Sequence, residues 1–130
     1  MALTDETYIV LDFETNGLAP ARGGEVIEVG AVRVERGRTT GTFDRLARSN
    51  HPIPPSAVGV HGITDEMIAG APHFAEMVQD LLEFVGDAVV VAHNAGFDRR
   101  FLLAGAELVG ARRPDNPFVD TLKHSRALDP

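Results

Sequence analysis

The run Tyr8-Ile9-Val10-Leu11 constrains this chain more than any other segment. It is short, almost continuously apolar, ended by acids at Asp12 and Glu14 and broken at Asn16-Gly17 and Pro20. A segment of that length without a polar side forms a buried strand followed by a loop. The run Ala88-Val89-Val90-Val91-Ala92-His93 repeats the pattern and reads as a second buried strand. A chain with two interior strands so far apart must build a sheet around them and supply elements to cover it.

Those elements are legible in the spacing. Val26 to Val34 mixes β-branched residues with partial alternation, and Glu35-Arg36-Gly37-Arg38 reads as the turn to a further strand from Thr39 to Leu46, which makes an antiparallel meander. His51-Pro52-Ile53-Pro54-Pro55 is too rich in proline for a helix or a central strand and is expected to be an extended connection. Thr64-Asp65-Glu66 opens a short helix that Gly70 and Pro72 stop, and apolar positions 74, 77, 78, 81, 82 and 85 follow a helical period. Asn94 is placed to cap a helix in which Phe97, Phe101, Ala104 and Leu108 share a face. Phe118-Val119 reads as a strand stub, with a helical turn starting at Asp120 or Thr121. The fold class is therefore α/β, a mixed sheet with helices on its faces, and a site is expected in the crevice at the carboxyl ends of the strands.

Composition narrows the chemistry. At 130 residues and 44% hydrophobic content the chain fits one compact domain with an ample core. It has no cysteine, so any metal is held by oxygen or imidazole, and the reading favours a cytoplasmic protein. The first residues lack the basic-then-apolar pattern of a signal peptide, and no apolar run is long enough to cross a bilayer, so no membrane partner is expected. A formal net charge of -7 argues against a general polyanion-binding surface. The exception is a protein that meets phosphate through bound cations.

Three carboxylates point to that exception. Asp12 and Glu14 are two apart at the end of a strand, so the pleat sends both to one face. Such a pair either faces water or holds a cation between its charges. Asp98 lies in the first turn of the helix after residues 88–93, where negative charge is favoured, and in this fold it comes close to the other two. A set of hard oxygen donors suits magnesium or manganese, which keep waters and bind substrate phosphates as well.

The motifs around these acids resemble a family. Asp12-Phe13-Glu14-Thr15-Asn16-Gly17-Leu18 is similar to the first motif of the DEDD exonucleases, and His93-Asn94-Ala95-Gly96-Phe97-Asp98-Arg99-Arg100-Phe101-Leu102 to the second. Val60-His61-Gly62-Ile63-Thr64-Asp65-Glu66-Met67 resembles the His-Gly-Ile-Thr segment of the branch that includes the proofreading epsilon subunit of bacterial DNA polymerase III. The resemblance implies a ribonuclease H-like fold and metal-dependent 3′-to-5′ hydrolysis of terminal phosphodiesters, with Asp12, Glu14 and Asp98 holding two Mg²⁺ or Mn²⁺ ions. It implies single-stranded 3′ ends of DNA or RNA as the partner, and a DNA polymerase subunit as a second partner for a proofreader. By the same resemblance, the backbone around Thr15 and Asn16 receives the terminal hydroxyl, Leu18 and His61 flank the terminal base, and Phe97 lies near its sugar. Gly17 and Asn94 complete the substrate-binding set. Phe97 and Phe101 also read as core residues.

The family's third motif supplies a general-base His and a fourth Asp, spaced His-x-x-x-x-Asp. His124 and Asp129 have that spacing, but they fall in Asp120-Thr121-Leu122-Lys123-His124, which resembles the Asp-Thr-Leu helix that precedes the third motif. The expectation is that they are not the missing pair, that residues 1–130 form a single exonuclease domain without its final helical segment, and that such a chain is a weak catalyst or none. The alternative function is an inactive nucleic-acid-binding or interaction module of the same fold.

Overall fold

The computed structural model describes residues 6–17 and 19–121. Five strands form one sheet in the order β3-β2-β1-β4-β5: β1 is Thr7–Thr15, β2 Val26–Glu35, β3 Arg38–Leu46, β4 Val89–Ala92 and β5 Phe118–Asp120. β1, β2 and β3 pair antiparallel as the meander expected, whereas β4 and β5 join parallel to β1, so the sheet is mixed. The β2–β3 turn uses left-handed backbone at Arg36 (φ 52°) and Gly37 (φ 77°), the geometry that keeps two twisted strands paired through a tight turn.

Four α-helices accompany the sheet: α1 Pro55–His61, α2 Asp65–Ile68, α3 Phe74–Val85 and α4 Ala95–Leu108. Both long helices pack on the face of β1 that carries Ile9, Leu11 and Phe13, and Met77, Leu81, Val85, Phe101 and Leu102 complete that core. α3 and α4 touch closely because Gly105 has no side chain: a Cβ there would stand 2.8 Å from the Phe74 ring. A second cluster gathers Ile53, Ala57, Ile63 and Ile68 around Ile27 and anchors α1 and α2.

One helix was not expected from the sequence. The proline-rich connection ends at Pro54, and Pro55 starts α1, which runs to His61 before Gly62 closes it in left-handed backbone at φ 73°. Proline is well suited to a first helical position, where its missing N–H has no partner to lose. A short 3-10 turn, Pro20–Arg22, also follows the loop at Asn16-Gly17. No helix among the described residues is long and apolar enough to cross a membrane.

Candidate active site

The site begins where β1 outlasts its neighbour. β4 pairs with Tyr8, Ile9 and Val10 alone, so the end of β1 carrying Asp12 and Glu14 extends beyond it. Past β4 the chain turns into α4, which brings Asp98 to that end, on the side of β1 away from β2. The Phe13 N–H, between the two acids, donates to Asp98 Oδ1 at 3.1 Å. A carboxylate from the second motif is thus fixed to the backbone of the first.

Asp98 is 3% exposed, and its environment opposes its charge. Its carboxyl is raised from 3.8 to about 7, chiefly by burial; the Phe13 bond acts to lower it, and the charges of Asp12, Glu14 and Asp120 act to raise it. Glu14 is raised too, by burial first and then by Asp12, with His61 acting in the opposite sense. Glu28 lies directly across from Glu14 on β2, and burial, Asp44 and Asp12 raise its carboxyl. The arrangement is an acidic patch whose members repel one another, the electrostatic condition a divalent cation relieves. Among the described residues no three His, Asp or Glu side chains are grouped closely enough to hold an ion by themselves.

The loop after Glu14 is tied down by its own polar groups. Gly17 N–H donates to Thr15 Oγ1 at 3.0 Å, and Gly17 takes φ 92°, a conformation open to glycine and strained for other residues. The buried Asn16 closes the loop onto its far end: its Oδ1 accepts from Glu25 N–H at 3.2 Å and its Nδ2 donates to Gly23 O at 3.4 Å. Leu18 lies outside the described residues, as do His124 and Asp129.

His61 joins α1 to the same loop. Ile63 N–H donates to its Nδ1 at 3.0 Å, so Nδ1 is the unprotonated nitrogen and Nε2 carries the proton, which it donates to Thr15 O, also at 3.0 Å. Both ring nitrogens are engaged by backbone groups of the loop and of residue 63. His61→Ala is therefore expected to weaken binding of a short single strand and to leave manganese affinity unchanged, as anisotropy and calorimetry would show. Loss of manganese binding in that variant would contradict the assignment.

Phe97 is half-buried and packs on Phe101 with ring centroids 5.0 Å apart, so the core reading of both rings holds while part of Phe97 stays open. Asn94 does occupy the N-cap position of α4, but its side chain makes no capping hydrogen bond. Its backbone, at φ -134° and ψ 77°, departs from the extended conformation of a capping residue. Asp120 takes over that work: its Oδ2 accepts from Ala95 N–H at 3.3 Å, from the end of β5. The sequence reading missed Asp120 and Glu28 as members of this acidic cluster. Strand alternation points to Glu28, but only the sheet order brings Asp120 to α4.

Comparison with known proteins adds to this geometry. The family model RNase_T, described as Exonuclease, matches residues 9–128. The PolC-type DNA polymerase III of Halalkalibacterium halodurans is 39% identical over 128 residues, which cover 98% of this chain and 9% of that protein. A DNA polymerase III subunit epsilon-like protein of Rhodobacter capsulatus is 43% identical over 118 residues, 89% of this chain and 17% of that protein. The chain thus spans a small part of the length of these relatives. In structure it resembles the zinc-bound form of the E. coli exonuclease I complex with single-stranded DNA, with a TM-score of 0.82 at 20% identity, over 95% of this chain and 29% of that one. The likeness identifies the fold as ribonuclease H-like.

Proposed function

The chain belongs to the RNase_T family of exonucleases, and from that premise we propose that it acts as a metal-dependent 3′-to-5′ exonuclease on single-stranded nucleic acid ends, in the setting of DNA polymerase III proofreading. The observation that carries the reading is the bond from Phe13 N–H to Asp98 Oδ1, which holds a buried carboxylate between Asp12 and Glu14. Divalent metals are general in this family. Here the donors are all carboxylate oxygens, which fit two magnesium or manganese ions that retain waters and share the substrate's phosphate.

In this reading Asp12, Glu14 and Asp98 hold the ions and keep their charges aimed at the terminal phosphodiester. Bound there, the metals supply an activated water and stabilise the leaving 3′-oxygen of an in-line displacement. The loop from Thr15 to Gly17 fixes where the terminal nucleotide stops, with Leu18 and the His61 ring on its base, Phe97 on its sugar and Asn94 at the mouth. The proton on His61 stays on Nε2, committed to Thr15 O. The base that receives the water's proton thus comes from another residue.

Manganese titration by calorimetry and a labelled single strand test this together. The wild-type chain is expected to bind manganese and to shorten the strand from its 3′ end, however slowly. Asp12→Asn is expected to lose both, with hydrolysis down about 10²- to 10³-fold. Equal manganese affinity in the two proteins, or a product ladder that Asp12→Asn leaves unchanged, would sink the assignment.

A further inference from the structure

A strand whose 3′ end lies at the acidic patch has to leave it somewhere. One exit crosses the open face of β1, β2 and β3, where a groove is lined by Val10, Asp12, Glu28 and Asp44. That groove carries three carboxylates and no cation, so it repels phosphates. A second path starts from α4, where Arg100 follows Asp98 by two residues, and passes the segment Ala19–Ala21, which follows the Asn16-Gly17 loop and packs beside α4. There an open groove of about 650 Å³ is lined by Pro20, Arg100, Leu103, Glu107 and Arg113 among others.

The charges in this second groove are unused by the fold. Arg100 and Arg113 are exposed, and among the described residues neither guanidinium makes an ion pair or a hydrogen bond. Arg100 and Glu107 are both on α4, and seven residues of helix rise span about 10 Å, so the groove reaches past a single nucleotide. Its floor of proline, alanine and leucine offers no polar pattern that would read a sequence. A cationic, apolar channel of this kind suits a phosphodiester backbone met without regard to base. The single carboxylate, Glu107, lies at the end remote from Arg100 along the helix.

We propose that the groove between residues 19–21 and α4 carries the single strand upstream of its 3′ end, with Arg100 and Arg113 on its phosphates. The inference rests on the exonuclease reading above and extends it from the terminal nucleotide to those behind it. Arginine suits the role because its guanidinium stays charged and presents paired donors to phosphate oxygens.

Fluorescence anisotropy tests it with 5′-labelled oligodeoxythymidylates, a dinucleotide and a dodecamer, with calcium in place of manganese to hold turnover down. The double variant Arg100→Ala/Arg113→Ala is expected to bind the dodecamer roughly tenfold more weakly and the dinucleotide, whose one internucleotide phosphate lies at the acidic patch, almost unchanged. Its slope of log affinity against log salt is expected to fall by about 1.4, at roughly 0.7 for each single-strand phosphate no longer neutralised. Arg38→Ala, which removes a positive charge at the start of β3, is expected to alter neither, and Arg100→Lys/Arg113→Lys to recover most of the dodecamer affinity. Dodecamer binding that survives the double alanine variant at an unchanged salt slope overturns the groove and leaves the exonuclease reading intact. A wild-type chain that binds neither oligonucleotide overturns both.

Discussion

Raising the pH from 4 to 8 is expected to destabilise the metal-free chain by roughly 4 kcal/mol through Asp98 alone. The sign follows from the direction of its shift. The folded protein holds the Asp98 proton up to about 7, whereas the ordinary carboxyl releases it near 3.8. Between those values the folded state binds more protons than the unfolded state, so stability is fully present below the lower one and is lost as pH rises through the upper. Glu14 and Glu28 are raised as well and add to the loss. Most surface carboxylates shift the other way and give proteins that weaken in acid, which makes this inverted profile diagnostic. Thermal unfolding followed by circular dichroism in EDTA should show a melting temperature lower by roughly 10 °C at pH 8 than at pH 4. Manganese at a hundred times its dissociation constant should return about 2.7 kcal/mol at pH 8 and less at pH 4, where Asp98 holds its proton. A flat or rising profile in EDTA would remove the electrostatic basis of the site.

What could be read in advance, and what could not, follows from the range of each signal. β1, β4, α3 and the β2–β3 turn were visible because their apolar period, or a single Arg36-Gly37 turn, is written within a few neighbouring residues. α1 was not: its apolar face is one buried residue, Ala57, and the prolines at its start mark a helix entry as well as they mark an extended chain. The acid pair Asp12 and Glu14 was legible from the pleat, and its match to a second motif brought in Asp98. The means by which Asp98 is held was beyond sequence reasoning, because it depends on β4 being shorter than β1 and on one backbone N–H left without a strand partner. Asp120 shows the same limit. Asn94 has the right residue type and position for a cap, yet a carboxylate from β5 accepts the Ala95 N–H, since the parallel pairing of β4 and β5 brings Asp120 level with Ala92.

Asp98→Asn separates the stability of this fold from its chemistry, and the two are expected to move in opposite directions. The amide is nearly the same shape as the carboxylate, and its oxygen can still accept from Phe13 N–H, so the link between α4 and β1 is kept. What disappears is a buried charge that Asp12, Glu14 and Asp120 all oppose. In EDTA at pH 8 the variant should therefore melt higher than the wild type, by a margin that shrinks toward zero at pH 4, where Asp98 is already neutral. The same change removes an anionic oxygen from the ligand set. Disturbing even the residues behind a metal's ligands weakens affinity about 10- to 100-fold, so manganese binding should fall by at least about 100-fold. Asp98→Ala sharpens the comparison, because it removes the charge and the Phe13 bond together; it should lose manganese equally without the full gain in stability. If Asp98 were only a structural partner of Phe13, Asp98→Asn would bind manganese like the wild type. A variant that melts lower than the wild type in EDTA at pH 8 would show instead that the buried charge stabilises the fold, against the repulsion from which the metal site is argued.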